Sequence, residues 1–157
     1  MKKKQTLSII IPVFNEEKTI EQILTRVAEA TLPNGIKKEI IVVDDGSTDS
    51  TNLKIKNLPQ AEQKSKFRII KIFHDRNKGK GVAVRTGFDY ATGDFIIIQD
   101  ADLEYNPKDF RMLLKPILGK STQVVYGNRF KNYPLRLWGA SKTILPLNWV
   151  SNKILAE

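Results

Sequence analysis

Apolar positions along the chain follow two alternating patterns. Residues 7–13, 39–43, 67–73 and 95–98 are short stretches rich in isoleucine, valine and phenylalanine, as in strands buried on both faces of a parallel sheet. Between them, apolar residues recur at i, i+3, i+4 and i+7, marking one face of a helix. Ile20, Ile23, Leu24, Val27 and Ala28 form the first such face, Val84, Gly87, Phe88 and Ala91 the second, and Phe110, Leu113, Leu114, Ile117 and Leu118 the third. Asn15 is placed to cap the first helix ahead of Glu16 and Glu17, and Asn106 with Pro107 to start the last. A short helix ends near Leu58 before Pro59, residues 60–66 form a polar loop, and residues 123–126 read as a fifth strand. The alternation predicts an α/β fold, a doubly wound, mostly parallel sheet flanked by helices. No repeat, low-complexity segment or linker interrupts it, so residues 1–157 are expected to form one domain.

From Tyr133 the pattern changes. Trp138, Trp149 and many aliphatic residues are mixed with Arg136, Lys142 and Lys153, and Pro134 and Pro146 interrupt them. These residues read as helical segments without a partner. Three readings are open: they cover the sheet, they lie at a membrane interface, where Trp and Lys are favoured, or they await sequence beyond this chain.

Polar chemistry gathers at the strand ends. The stretch GDFIIIQDADLEYNP (93–107) passes from a buried strand straight into Asp100, Asp102 and Glu104. Ligands of open α/β sheets bind at the carboxyl edge, and crowded carboxylates repel one another unless a cation sits among them. On an extended chain, alternate residues point the same way at spacings of about 6.5 Å, so the three cannot all grip one small ion. The arrangement predicted is Mg²⁺ or Mn²⁺ held by one or two carboxylates and completed by substrate phosphates. Simple capping of the following turn is the alternative for Asp100 and Asp102. A second acidic strand end is DDGSTDS (44–50), where ordinary turn chemistry competes with a carboxylate that accepts a nucleobase N–H. HDRNKGKG (74–81) is a glycine-punctuated basic loop opening onto a helix, a place for phosphate. His74, the only histidine, reads as a structural residue at the edge of that loop.

Other nucleotide folds fit less well. The chain has no G-x-x-x-x-G-K-[ST] loop and no G-x-G-x-x-G fingerprint after its first strand. A phospho-acceptor receiver carries its acidic pair after strand one, whereas here the pair follows strand two.

Composition narrows the setting. A chain of 157 residues, 41% hydrophobic, can bury a core of its own. Absence of cysteine excludes disulfides and thiolate metal sites and agrees with a reducing compartment. The apolar run after the basic start is too short for a signal peptide core, and no run approaches the ~18 apolar residues of a membrane helix. Net charge is +9, and from Lys108 onward nine basic residues face only Asp109 and Glu157. Such an end attracts anionic partners such as phosphates, nucleic acid or a membrane surface, or is simply a solvated face. The expected location is cytoplasmic, peripheral on the inner face of the membrane, with no nucleic acid partner.

Taken in order, IIIPVFNEE (9–17), IIVVDDGSTDST (40–51), RNKGKGVAVRTG (76–87), the 93–107 stretch and YGNRF (126–130) resemble the family 2 glycosyltransferases. These are nucleotide-sugar-dependent enzymes with the GT-A fold. Within that family, DADLEYNP (100–107) and GNRF (127–130) are most similar to the polyprenyl-phosphate (dolichyl-phosphate) mannosyl- and glucosyltransferases. The resemblance implies that Pro12, Phe14, Glu16 and Asp45 line the base and ribose pocket, and that Asp100 and Ala101 contact the nucleoside. It places Gly79 and Lys80 in the donor site, Asp102 and Glu104 on the metal, and Arg129 at the acceptor phosphate, so Asp102 and Arg129 are the candidate catalytic residues. Phe14 stands where Tyr is commoner, Glu104 where some relatives carry Gln, and Asn128 where Ser is usual.

The implied reaction is inverting transfer of a hexose from a nucleotide diphosphate sugar to a polyprenyl phosphate. Such an acceptor is already ionised near neutral pH and needs no general base. Family catalytic domains continue for several dozen residues past the point matching Glu157, so the expectation is an incomplete chain that binds donor and transfers poorly. The alternatives are a non-catalytic module that binds nucleotide sugar or anionic lipid, and a transferase acting on a saccharide.

Overall fold

The computed structural model describes residues 4–33, 35–58, 67–127 and, as backbone, 153–156. Its elements are β1 (Thr6–Val13), α1 (Ile20–Glu29), β2 (Lys37–Asp44), α2 (Thr51–Asn57), β3 (Phe67–Phe73), α3 (Lys80–Tyr90) and β4 (Phe95–Ile98). A 3₁₀ turn (Pro107–Asp109) then runs into α4 (Phe110–Leu118), and β5 (Val124–Tyr126) and β6 (Lys153–Ala156) complete the sheet. Strand order is β3-β2-β1-β4-β6-β5. The first four strands are mutually parallel, and β6 runs antiparallel to both β4 and β5.

Alternation along buried strands explains the continuous apolar runs. Leu7, Ile9, Ile11 and Val13 of β1, with Ile40 and Val42 of β2, join the larger core, which includes Ile20, Ile23, Leu24 and Val27 of α1 and Phe110, Leu113 and Leu114 of α4. Ile10, Ile41 and Val43 point to the opposite face, where Ala83 of α3 packs. Both faces are therefore covered, as the doubly wound reading expects. At the amino end of the sheet the buried Glu39 carboxylate accepts from Ser8 Oγ at 2.6 Å, Thr92 N at 2.8 Å and Thr92 Oγ1 at 2.7 Å, fastening the α3–β4 turn. No helix among the described residues is long and apolar enough to cross a membrane.

Two local expectations are corrected. Asn15 does not cap α1; it has φ 54, and its side chain accepts from Thr48 N at 2.8 Å, while the helix starts only at Ile20. The tail does not end in a helical segment, because residues 153–156 form a strand inside the sheet. The rest of the tail, including both tryptophans, lies outside the described residues. Asn106 does cap as expected, accepting from Lys108 N at 3.1 Å.

Helix α3 approaches the sheet through a glycine. A Cβ at Gly87 would stand 2.4 Å from Cγ2 of the fully buried Ile10. Gly87→Ala gains up to ~1 kcal/mol of helix propensity, and overpacking costs ~1–3 kcal/mol. Gly87→Val adds bulk without that gain, so its denaturant midpoint is expected to fall below those of both wild type and Gly87→Ala.

Candidate functional site

The strand order reverses at β1, which has β2 on one side and β4 on the other. At such a switch point the carboxyl ends diverge and leave a crevice. A cavity of about 300 Å³ opens there, lined by Pro12, Val13, Phe14, Glu16, Asp45, Asn77, Lys80, Ala83, Asp100, Ala101 and Asp102.

The β1 wall is held from across the sheet. Asn15 N donates to Ser47 Oγ at 2.9 Å, Glu16 N to Thr51 Oγ1 at 2.9 Å and Glu17 N to Asp49 Oδ2 at 3.2 Å. The STDST segment after β2 is thus spent on fixing the loop after β1. In consequence Phe14 keeps its ring at the cavity, 42% exposed and open to stacking. The Glu16 carboxylate accepts from the Thr19 hydroxyl.

Asp44 and Asp45 diverge at the end of β2. Asp44 is fully buried and accepts from Ser47 N at 3.0 Å and Asn52 Nδ2 at 3.0 Å, which is turn chemistry. Asp45 reaches instead to the basic loop, accepting from Lys78 N at 3.0 Å and Gly79 N at 2.8 Å, with its Oδ1 2.6 Å from His74 Nδ1. The Lys78 and Gly79 amides therefore face a carboxylate of the protein. Gly79 adjoins the cavity without lining it, and Lys80 and Asn77 are the residues of this loop that do line it.

Burial pulls the Asp45 carboxyl upward, but the His74 ring and the two amides outweigh it and hold the group below the ordinary aspartate value. A depressed pKa adds stability that is present above the unfolded value, ~3.9, and is lost as pH falls through the folded one. Asp45→Asn is accordingly expected to flatten that part of the acid limb. Unfolding midpoints of both proteins between pH 5 and pH 2 would check it, and parallel curves would count against it.

At the end of β4 the chain turns sooner than an extended spacing requires. Leu103 has φ 64, and Glu104 N donates to Asp102 Oδ1 at 3.0 Å. The three acids therefore do not share one extended face. Asp100 Oδ1 pairs with Lys80 Nζ at 2.7 Å, Asp102 is exposed at the cavity, and Glu104 is exposed outside its lining. Among the described residues no three acidic or histidine side chains are grouped to hold a metal. The donor set fits a hard divalent ion bound by one or two carboxylates and finished by phosphate oxygens.

Pro12, Phe14, Glu16, Asp45, Lys80, Asp100, Ala101 and Asp102 are thus brought to one cavity, and Arg129 lies outside the described residues. Sequence reasoning missed Asn77, although it sits in the quoted RNKG run, and the depth of His74, whose partners are distant in sequence.

The sequence profile described as glycosyl transferase family 2 matches residues 8–152. Among solved structures, S. aureus TarS 1-349 is 23% identical, with a TM-score of 0.67 over 96% of this chain and 47% of that one. This supports the fold alone. The mannosyltransferase PcManGT from Pyrobaculum calidifontis, in complex with GDP-Man and Mn²⁺, is 25% identical, with a TM-score of 0.66 over 81% of this chain and 36% of that one. Glucosyl-3-phosphoglycerate synthase from Mycobacterium tuberculosis, with Mn²⁺, uridine diphosphate and glucosyl-3-phosphoglycerate, is 28% identical, with a TM-score of 0.59 over 78% of this chain and 43% of that one. The chain spans less than half the length of each. With the profile covering nearly all of its residues and the sheet order and cleft of the GT-A fold in place, the chain belongs to glycosyl transferase family 2.

Proposed function

We propose that the chain carries the donor-binding part of a metal-dependent inverting transferase that moves a hexose from a nucleotide diphosphate sugar to a polyprenyl phosphate. The observation behind it is the cleft, where an open aromatic ring (Phe14), acid (Asp100, Asp102) and base (Lys80) converge at the switch point. In this reading Phe14, Pro12 and Glu16 hold the nucleoside, with Asp45, Gly79, Asp100 and Ala101 shaping its pocket. Lys80, already paired with Asp100, is in reach of the diphosphate side. Asp102 and Glu104 would hold Mg²⁺ or Mn²⁺, which offsets the negative charge gathering on the departing diphosphate. The acceptor phosphate is assigned to Arg129 by the family resemblance alone, since that residue lies outside the described ones.

The finer acceptor assignment rests on the DADLEYNP and GNRF stretches, and a saccharide acceptor is the second reading. Mn²⁺ and a nucleotide or nucleotide sugar together in two of the similar structures support the donor side. A membrane surface is the natural partner if the acceptor is a lipid phosphate, since the chain's positive charge concentrates after residue 107. Labelled donor incubated with Mn²⁺, with and without polyprenyl phosphate, tests the proposal. Slow release of sugar onto lipid, confined to the complete mixture, is expected. Transfer to a saccharide with none to lipid would replace the acceptor assignment.

A further inference from the structure

We propose that His74 is a positioning residue for the cleft, its ring tying the end of β2 to α3 so that the loop from β3 into α3 holds Asn77 and Lys80 at the cavity. The role assigned to that cavity rests on the donor-site reading above. His74 Nδ1 lies 2.6 Å from Asp45 Oδ1, and Nε2 lies 3.0 Å from Thr86 Oγ1 within α3. The side chain is 8% exposed. Asp, His and a hydroxyl in a row are also the parts of a nucleophilic triad. Here neither His74 nor Thr86 lines the cavity, so no substrate bound there meets the hydroxyl.

What the row does is structural, and it acts on the cleft. The main chain of His74 already extends the sheet, its N donating to Asp44 O at 2.8 Å. From there the chain leaves as residues 75–79 and returns at Lys80, the first residue of α3. Two of its amides, at Lys78 and Gly79, are bound to the carboxylate that the ring also holds. Losing the ring leaves a buried carboxylate short of a partner, which favours its rotation toward water and release of both amides. A neutral ring donates from Nδ1 and accepts the Thr86 hydroxyl at Nε2, whereas a protonated ring donates from both nitrogens and the hydroxyl turns. The tie therefore holds in either protonation state. It is a fixed brace for the loop.

The test uses the full chain and its His74→Ala and His74→Asn variants; an asparagine Nδ2 stands near the position of the ring Nδ1 and can still donate to Asp45. Uridine and guanosine diphosphates are titrated with Mn²⁺, and amide exchange is followed at Lys78, Gly79 and the central residues of β1. For His74→Ala, nucleotide affinity is expected to fall about tenfold, the scale of one lost hydrogen bond to a charged group. Exchange at Lys78 and Gly79 should rise by a similar factor, β1 should stay protected, and His74→Asn should recover most of both losses. Unchanged affinity and exchange in His74→Ala would overturn the proposal, as would equal loss of protection in β1, which would make His74 a general fold residue. If the wild type binds neither nucleotide, the donor-site reading fails, and local exchange at Lys78 and Gly79 alone decides whether His74 positions the loop.

Discussion

Replacing Asp102 by asparagine is expected to abolish most of the metal dependence of nucleoside diphosphate binding. Of the two aspartates that line the cavity at the end of β4, Asp100 is already neutralised by Lys80 at 2.7 Å. Asp102 accepts the Glu104 amide on Oδ1 and is exposed at the cavity, which makes its carboxylate the better placed of the two to ligate a hard cation. An amide is a poor substitute, since a divalent ion of this class selects charged oxygens and keeps waters where the protein supplies few ligands. Outer-shell changes alone cost roughly 10–100-fold in metal affinity, so loss of a direct ligand should cost at least about tenfold. Calorimetry of wild type and Asp102→Asn, each with and without Mn²⁺, gives the answer. A wild type that binds nucleotide equally well in both conditions would take the metal out of the mechanism.

Gly46→Val is expected to produce the largest loss of stability and to weaken nucleotide binding with it. Gly46 has φ 71, and a Cβ there would stand 2.4 Å from Arg76 C and 2.7 Å from Asn77 N. Those are backbone atoms, which cannot rotate aside as a side chain can. Left-handed backbone costs an L-residue ~1–2 kcal/mol, and forced displacement of packed neighbours adds ~1–3 kcal/mol. The displaced segment carries Asn77 into the cavity wall and Lys78 and Gly79 onto Asp45, so the damage passes directly to the cleft. Gly35 supplies the control: its φ is 84 but nothing lies within 4 Å of its Cβ position. Gly35→Ala should show the backbone penalty alone, with nucleotide affinity intact. Denaturant midpoints and titrations of the two variants separate the terms, and similar behaviour of both would refute the loop argument.

The sequence carried the sheet well because burial is written in it. Residues 9–13 of β1 and 40–43 of β2 are unbroken apolar runs, since α1 and α4 cover one face and α3 the other, and no polar face remains there to blur the pattern. The acidic strand ends were legible for the same reason, as a run such as FIIIQDAD leaves the core abruptly. Two kinds of fact were not legible. One is the division of labour between Asp44 and Asp45, set by Asn52 on one side and by His74 on the other, partners that spacing does not reveal. The other is the turn after β4, where Leu103 at φ 64 breaks the extended spacing of the acids although leucine carries no turn signal. Asn15 misled for a related reason: its side chain suits an N-cap, and tertiary bonding to Thr48 used it elsewhere.

Strand β6 has a consequence for how the sheet is assembled in time. It lies between β4 and β5 and pairs with both, yet it is synthesised after them. Among the described residues, β6 alone pairs with the outer edge of β4, an isoleucine-rich strand, and β6 alone links β5 to the sheet. Open apolar edges of this kind recruit strands from other chains. During synthesis the chain must therefore hold an aggregation-prone edge in the half-built sheet, and β6 is the strand that shields it.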